Sequence, residues 1–168
     1  HFPLRRRRRM CLSDIFSTRQ AAKDHPNETG RCLILVTPDG ERSMNTYLGV
    51  SSELNANDLD IGMLARTEWT YLEGYLFDSS DNQLAFYKAA EATKPAGGKV
   101  ALTLSDPFCV DRHRDAFRAF VKDNVDLLFC NEHEMQALYQ TETLDAAMEI
   151  AASEVETVAC TAGEDGAY

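Results

Sequence analysis

Four short apolar segments, separated by helical patterns, constrain the fold of this chain more than any other feature. They cover residues 69–72, 100–104, 127–130 and 157–161. Short runs of this kind suit strands that are buried on both faces, and the intervening segments repeat apolar residues at helical spacing. Strands that alternate with helices form parallel sheets covered by helices. The sequence therefore predicts an α/β fold with a Rossmann-like, mainly parallel sheet.

A β-hairpin is predicted ahead of this sheet, at about residues 31–50. Two β-rich runs, Arg31–Thr37 and Arg42–Leu48, flank a turn that contains proline and glycine. Alternate residues of the second run share a face, with Met44, Thr46 and Leu48 on one side and Ser43, Asn45 and Tyr47 on the other. The polar face could cover a substrate, with Asn45 and Arg42 as contact residues, or it could face solvent.

The charge distribution divides the chain in two. Residues 1–28 carry a net charge of +4, whereas the whole chain of 168 residues carries −10. We interpret 1–28 as an atypical basic, disordered tail and 29–168 as the folded domain. The run Arg5–Arg9 could instead be a nucleic-acid or targeting patch, but no aromatic residue interrupts it, as such patches often require.

Net charge and cysteine usage exclude several partners and compartments. A charge of −10 argues against nucleic acid or an anionic membrane as the main partner, and no apolar run is long enough to span a bilayer. There is no signal-peptide pattern and no C-x-x-C pair. Cys32, Cys130 and Cys160 lie in strand-like runs, so we expect buried, reduced thiols in a cytoplasmic protein.

Polar or small residues follow each of the four apolar segments. They are Glu73-Gly74, Ser105-Asp106, Asn131-x-x-Glu134 and Thr161-x-Gly163. The carboxyl ends of parallel strands lie at one edge of a sheet, which is where open α/β sheets bind ligands. The sequence therefore predicts a binding site at this edge.

Asn131 and Glu134 allow two interpretations. A helical pattern begins directly after Asn131, and the start of a helix attracts anions, while Glu134 could hold a hard cation such as Mg²⁺ through water. Alternatively, asparagine at the N-cap with glutamate three residues later forms a capping box, which needs no ligand. A capped helix can still present its glutamate, so the two interpretations are compatible.

The segment Thr161–Gly166 is the second candidate for phosphate binding. Its glycines, Gly163 and Gly166, would let backbone N–H groups approach a phosphate, although the segment is not a Walker loop. A tight turn into a further hairpin is the alternative. Together with Asn131 and Glu134, the segment predicts a nucleotide–magnesium site, but no residue of the chain is assigned as a catalytic base.

The motifs PDGERSMNTYLG, YLEGYLFD, LSDP, NEHE and TAGEDGAY, in this order, resemble those of the ribokinase-like (PfkB) family of carbohydrate and nucleoside kinases. The resemblance implies ATP-dependent phosphorylation of a hydroxyl group of a sugar or nucleoside, as in an adenosine kinase. It implies a role near Mg²⁺ and phosphate for Asn131 and Glu134, and an ATP site lined by Thr161, Gly163 and Gly166. It also implies a sugar contact for Glu73 and a hairpin that serves as a substrate lid, through which family members often form dimers.

The chain departs from the family pattern at both ends. The amino-terminal glycine-rich substrate motif is absent, and the Gly-Ala-Gly-Asp element with the catalytic aspartate would lie beyond Tyr168. We therefore expect a partial kinase domain that is inactive by itself, which a phosphorylation assay would test. The alternative is a non-catalytic α/β nucleotide-binding domain.

Overall fold

The computed structural model describes residues 25–168, so most of the predicted tail, 1–28, lies outside the described residues. The elements follow the predicted order: β1 (Thr29–Val36), β2 (Arg42–Gly49), α1 (Ile61–Leu64), β3 (Trp69–Glu73), α2 (Ser80–Thr93), β4 (Lys99–Thr103), α3 (Pro107–Asn124), β5 (Leu127–Asn131), α4 (Glu132–Tyr139), α5 (Leu144–Glu154) and β6 (Thr157–Thr161). Within 25–168, no helix has the length and apolar character that a membrane span requires.

The main sheet is parallel, with the strand order β3-β4-β5-β6. Its register places Glu73 opposite Thr103, and Asn131 opposite Thr161. The carboxyl ends of the four strands therefore lie at the same edge, as the sequence predicted.

One face of this sheet forms the core together with the helices. Side chains such as Leu102, Leu128 and Cys160 pack there against helical residues. Four phenylalanines lie at the centre of the core, and their rings contact one another at centroid distances of 4.3–5.9 Å: Phe77, Phe86, Phe117 and Phe120. Burial of these large rings stabilises the helix layer against the sheet.

The opposite face of the sheet is open in the described residues. Trp69, Tyr71 and Phe129 are exposed there, and the rings of Tyr71 and Phe129 meet edge to face at 6.3 Å. The prediction that these strands are buried on both faces was therefore wrong for β3, β5 and β6, whereas β4 buries three consecutive residues, Val100, Ala101 and Leu102. Strand side chains alternate between faces, and the helices cover one face of the sheet.

The hairpin of β1 and β2 is antiparallel, and its register confirms the predicted faces for residues 43–48. Arg42, predicted to act with Asn45 on the polar face, lies on the opposite face with Met44, because strand side chains alternate. Both faces are exposed, so Cys32 is exposed and the prediction that it is buried was wrong. In the described chain no layer of structure covers this two-stranded sheet, and apolar character alone cannot reveal that. Cys130 and Cys160 are buried as predicted.

The sequence predicts a helix start between the hairpin and the sheet, with Asn57 in the N-cap region and Asp60 as an acid in the first turn. The structure places both caps differently. The residue that caps the short helix Ala56–Asp58 is Asn55, which forms a capping box with Asp58. Asp60, predicted as an acid in the first turn, is the N-cap of α1. Several Asn and Asp residues close together made the position of the cap ambiguous, since each can accept a backbone hydrogen bond.

Candidate active site

The carboxylates of three strand ends act electrostatically on Tyr75, which follows β3. Partial burial raises the pKa of Tyr75, and the charges of Asp106, Glu134 and Glu73 raise this pKa further. These carboxylates follow β4, β5 and β3 respectively, so the polar residues converge at the sheet edge as the sequence predicted. The result is a patch of strong hydrogen-bond acceptors beside an aromatic ring.

Asn131 and Glu134 form a complete capping box at the start of α4. The Asn131 side chain accepts a hydrogen bond from the Glu134 N–H at 2.8 Å, and the Glu134 carboxylate accepts from the Asn131 N–H at 3.0 Å. The second carboxylate oxygen accepts from Asn131 Nδ2 at 2.9 Å. The capping interpretation is therefore confirmed.

The burial and the hydrogen bonds of Glu134 affect how its carboxylate could hold a cation. Its side chain is buried, and burial raises its pKa, although the hydrogen bond from Asn131 acts in the opposite direction. The carboxylate and amide oxygens of this pair are of the type that Mg²⁺ prefers. Within residues 25–168 no group of three or more His, Cys, Asp or Glu side chains could hold a metal ion. A cation here would therefore need water and the phosphates of a ligand to complete its coordination.

The segment 161–166 turns the chain back along β6. Gly163 and Gly166 have φ values of 54° and 94°, which favour glycine, and a short helix spans Gly163–Asp165. Tyr168 then pairs with Cys160 through N–H···O bonds of 2.8 and 3.0 Å. The tight turn of the alternative interpretation is thus observed, followed by a single antiparallel bridge between Thr161 and Ala167.

This turn also offers room for a ligand. Apart from the adjacent residues in the chain, no atom lies within 4 Å of a Cβ built on Gly163 or Gly166, and Thr161 is exposed beside them. Space for a phosphate therefore exists at the edge. The exposed carboxylates of Glu164 and Asp165 add negative charge, which a cation would have to balance.

Glu73 lies at the end of β3 and contacts the neighbouring strand end. Its carboxylate accepts a hydrogen bond from Ser105 Oγ at 3.1 Å. Asn45, the other predicted substrate residue, is exposed on the hairpin, which contacts mainly the short helix Val50–Glu53 outside itself. The structure therefore brings Glu73 to the sheet edge and leaves Asn45 apart from it.

Sequence reasoning placed Asp106 at this edge, as part of Ser105-Asp106, but assigned no role to the aromatic residues Tyr75 and Phe108. Asp106 caps α3 by accepting from the Phe108 N–H at 2.9 Å, and the Phe108 side chain is 71% exposed. The signal that could have identified them is the Asp-Pro helix start immediately after β4, because it places the first turn of α3 at the same edge as Glu73.

The chain belongs to the pfkB family of carbohydrate kinases. The profile of this family, described as pfkB family carbohydrate kinase, matches residues 16–168. The fold and the motif order described above agree with this assignment.

Individual relatives are nucleoside and sugar kinases. The adenosine kinase from Sinorhizobium meliloti is 43% identical, with a TM-score of 0.78, over 83% of this chain and 43% of that one. A probable sugar kinase from Rhizobium etli is 40% identical, with a TM-score of 0.78, over 82% of this chain and 42% of that one. The guanosine-inosine kinase of Escherichia coli K12 is 31% identical over 142 residues, which are 83% of this chain. The chain spans about a third (33%) of the length of this curated relative.

Proposed function

We propose that this chain contributes the nucleotide and substrate sites of an ATP-dependent kinase that phosphorylates a hydroxyl group of a sugar or nucleoside. The observation that carries the proposal is the convergence of three features at one sheet edge of a pfkB-family chain. These features are the start of α4, the turn 161–166, and Glu73 beside Tyr75. Strand ends of this kind are the usual ligand sites of open α/β sheets.

The phosphate side of the site is assigned to the start of α4 and to the turn. The positive end of the α4 dipole attracts phosphate oxygens, and Thr161, Gly163 and Gly166 would border the nucleotide. Asn131 and Glu134 would hold Mg²⁺ through water. ATP supplies the transferred phosphoryl group, and the cation neutralises charge on the phosphates.

The acceptor side is assigned to Glu73, with Asn45 contributing from the hairpin as a lid. The Glu73 carboxylate can accept hydrogen bonds from substrate hydroxyls. Tyr75 and Phe108, which are 44% and 71% exposed, place aromatic rings where a nucleobase could stack. These rings favour a nucleoside over a free sugar, in agreement with the names of two relatives. That the catalytic base lies outside residues 1–168 stays a prediction.

A non-catalytic nucleotide-binding domain is the second candidate. It is favoured by the capping box, in which both oxygens of Glu134 already accept hydrogen bonds. A carboxylate engaged in this way can serve helix stability alone.

Titration calorimetry of the 168-residue chain with ATP tests the proposal. We expect heat of binding in the presence of Mg²⁺ and much weaker binding when EDTA removes the cation, because Mg²⁺ offsets the repulsion between carboxylates and phosphates. A phosphorylation assay with adenosine then separates a kinase from a binding domain. A folded chain that binds no ATP would contradict both candidates.

We further propose that the hairpin pairs two copies of the chain. One of its faces is exposed and largely apolar: it carries Cys32, Ile34, Val36, Met44 and Leu48, together with the polar residues Arg42 and Thr46. An exposed apolar surface of this kind is typical of an interaction site. The exposed thiol of Cys32 lies within this face and therefore reports on its accessibility.

Alkylation by iodoacetamide, followed site by site with mass spectrometry, tests the pairing. In dilute protein Cys32 should react quickly without prior reduction, as expected for a protein from the cytoplasm. At high protein concentration, where two copies would pair, the alkylation of Cys32 should be slower. Cys109 is the internal reference, because burial raises its pKa to about 11 and it should react slowly at every concentration. A Cys32 rate that is independent of concentration would contradict the pairing.

A further inference from the structure

Ser105 occupies an unusual backbone conformation at the corner between β4 and α3. Its φ is 69°, in the left-handed region that disfavours residues with a Cβ. The corner is closed by a hydrogen bond of 2.9 Å from the Asp106 N–H to the Leu104 carbonyl. Among residues 25–168 the other non-glycine residue with positive φ is Gln140, at the exposed end of α4. Strained residues of this type concentrate at functional sites.

The side chain of Ser105 points across the sheet to the end of β3. Its Oγ lies 3.1 Å from Glu73 Oε1 and 3.4 Å from the carbonyl oxygen of Thr103. A serine hydroxyl has a single proton to donate, and the shorter contact, to a carboxylate, is the stronger of the two. The Glu73 carboxylate is therefore held from the neighbouring strand.

The corner itself does not require serine. A glycine would adopt this φ without steric cost and would still permit the bond between Asp106 and Leu104, which involves only backbone atoms. What serine adds at this position is its hydroxyl group. The hydrogen bond to Glu73 is thus the property of Ser105 that the backbone geometry does not explain.

We propose that Ser105 is a positioning residue, whose hydroxyl fixes the Glu73 carboxylate in the orientation that binds a substrate hydroxyl. The inference rests on the proposed function of Glu73 as a substrate ligand. It assigns to Ser105 no contact with the reacting atoms.

Two substitutions separate the hydroxyl group from the backbone strain. Ser105→Ala removes the hydroxyl and keeps the strain, whereas Ser105→Gly removes both. We expect both variants to bind adenosine about tenfold more weakly than the unmodified chain, since each loses a hydrogen bond to a charged group. The two variants should instead differ in melting temperature, and the value for Ser105→Gly should equal or exceed the value for Ser105→Ala. Ser153→Ala is the control, because Ser153 is exposed and its hydroxyl donates to Ile150 O within its own helix, α5.

A purely structural role for Ser105 predicts a different result. Affinity would then follow the melting temperature, and a Ser105→Gly variant with unchanged affinity would overturn the proposal. Crystal structures of both variants provide a test that needs no ligand. The Glu73 side chain should no longer adopt one defined orientation in either variant. A Glu73 side chain with unchanged orientation would also overturn the proposal. If the unmodified chain binds no adenosine while Glu73 does reorient, the positioning stands and the assigned substrate is wrong.

Discussion

Replacing Glu134 with glutamine should weaken Mg²⁺-dependent ATP binding at least about tenfold while changing the melting temperature by no more than about 3 °C. Glutamine keeps an oxygen that can accept the Asn131 N–H hydrogen bond, so the backbone part of the capping box survives and only the bond from Asn131 Nδ2 is lost. The negative charge that would hold a cation is lost. A function of Glu134 in capping alone predicts no change in binding, so this substitution separates the two interpretations.

The pH dependence of stability gives a second test of the same residue. Burial raises the pKa of Glu134 above that of an ordinary glutamate, so the folded chain holds the proton more tightly than the unfolded chain does. The contribution of Glu134 to the free energy of unfolding should therefore increase as the pH falls through this raised pKa. The Glu134→Gln variant lacks this contribution from protonation. As the pH falls over the same range, its free energy of unfolding should therefore decline relative to that of the unmodified chain.

A matched control exists within the chain. Asn55 and Asp58 form another capping box, in which the Asp58 carboxylate accepts from the Asn55 N–H at 3.0 Å. This box precedes the main sheet in the chain and belongs to the segment that leads to α1. Asp58→Asn should leave ATP binding unchanged; equal losses in both variants would indicate a general effect of charge and not a metal site.

The capping box is also the part of the site that the sequence predicted best. Helix caps depend on residues three positions apart, and Asn131-x-x-Glu134 carries the full information locally. The parallel sheet was predictable for a similar reason, because alternation of strand and helix restricts the possible connections. Local sequence was therefore sufficient to predict the helices and strands, and the edge of the sheet at which the strands end.

Contacts between strands were not predictable in the same way. The hydrogen bond from Ser105 to Glu73 depends on the register of β3 against β4 and on a positive φ, neither of which the sequence specifies. The exposure of Cys32 depends on what lies over the hairpin. A pattern of apolar residues indicates which side chains favour burial, but it does not identify the surface that covers them.

Replacing Gly74 with alanine should lower the free energy of unfolding by about 3 kcal/mol, which corresponds to a loss of about 6–12 °C in melting temperature. A Cβ at this position would lie 2.5 Å from the carbonyl oxygens of both Thr103 and Leu104. These atoms belong to the backbone at the end of β4, so they cannot move aside as a flexible side chain would. The added methyl group must separate the ends of β3 and β4, the strands that carry Glu73 and Ser105.

Gly62→Ala is the control for this substitution. A Cβ on Gly62 in α1 would have as its nearest neighbours side-chain atoms of Asp60 and Arg66, at 3.5 and 3.6 Å. Alanine there should be neutral or stabilising by up to about 1 kcal/mol, because it favours the helix. Thermal unfolding monitored by circular dichroism measures both variants. Equal melting temperatures for the two would show that the β3 and β4 ends can separate without cost, and the close approach of Gly74 would then not hold the site together.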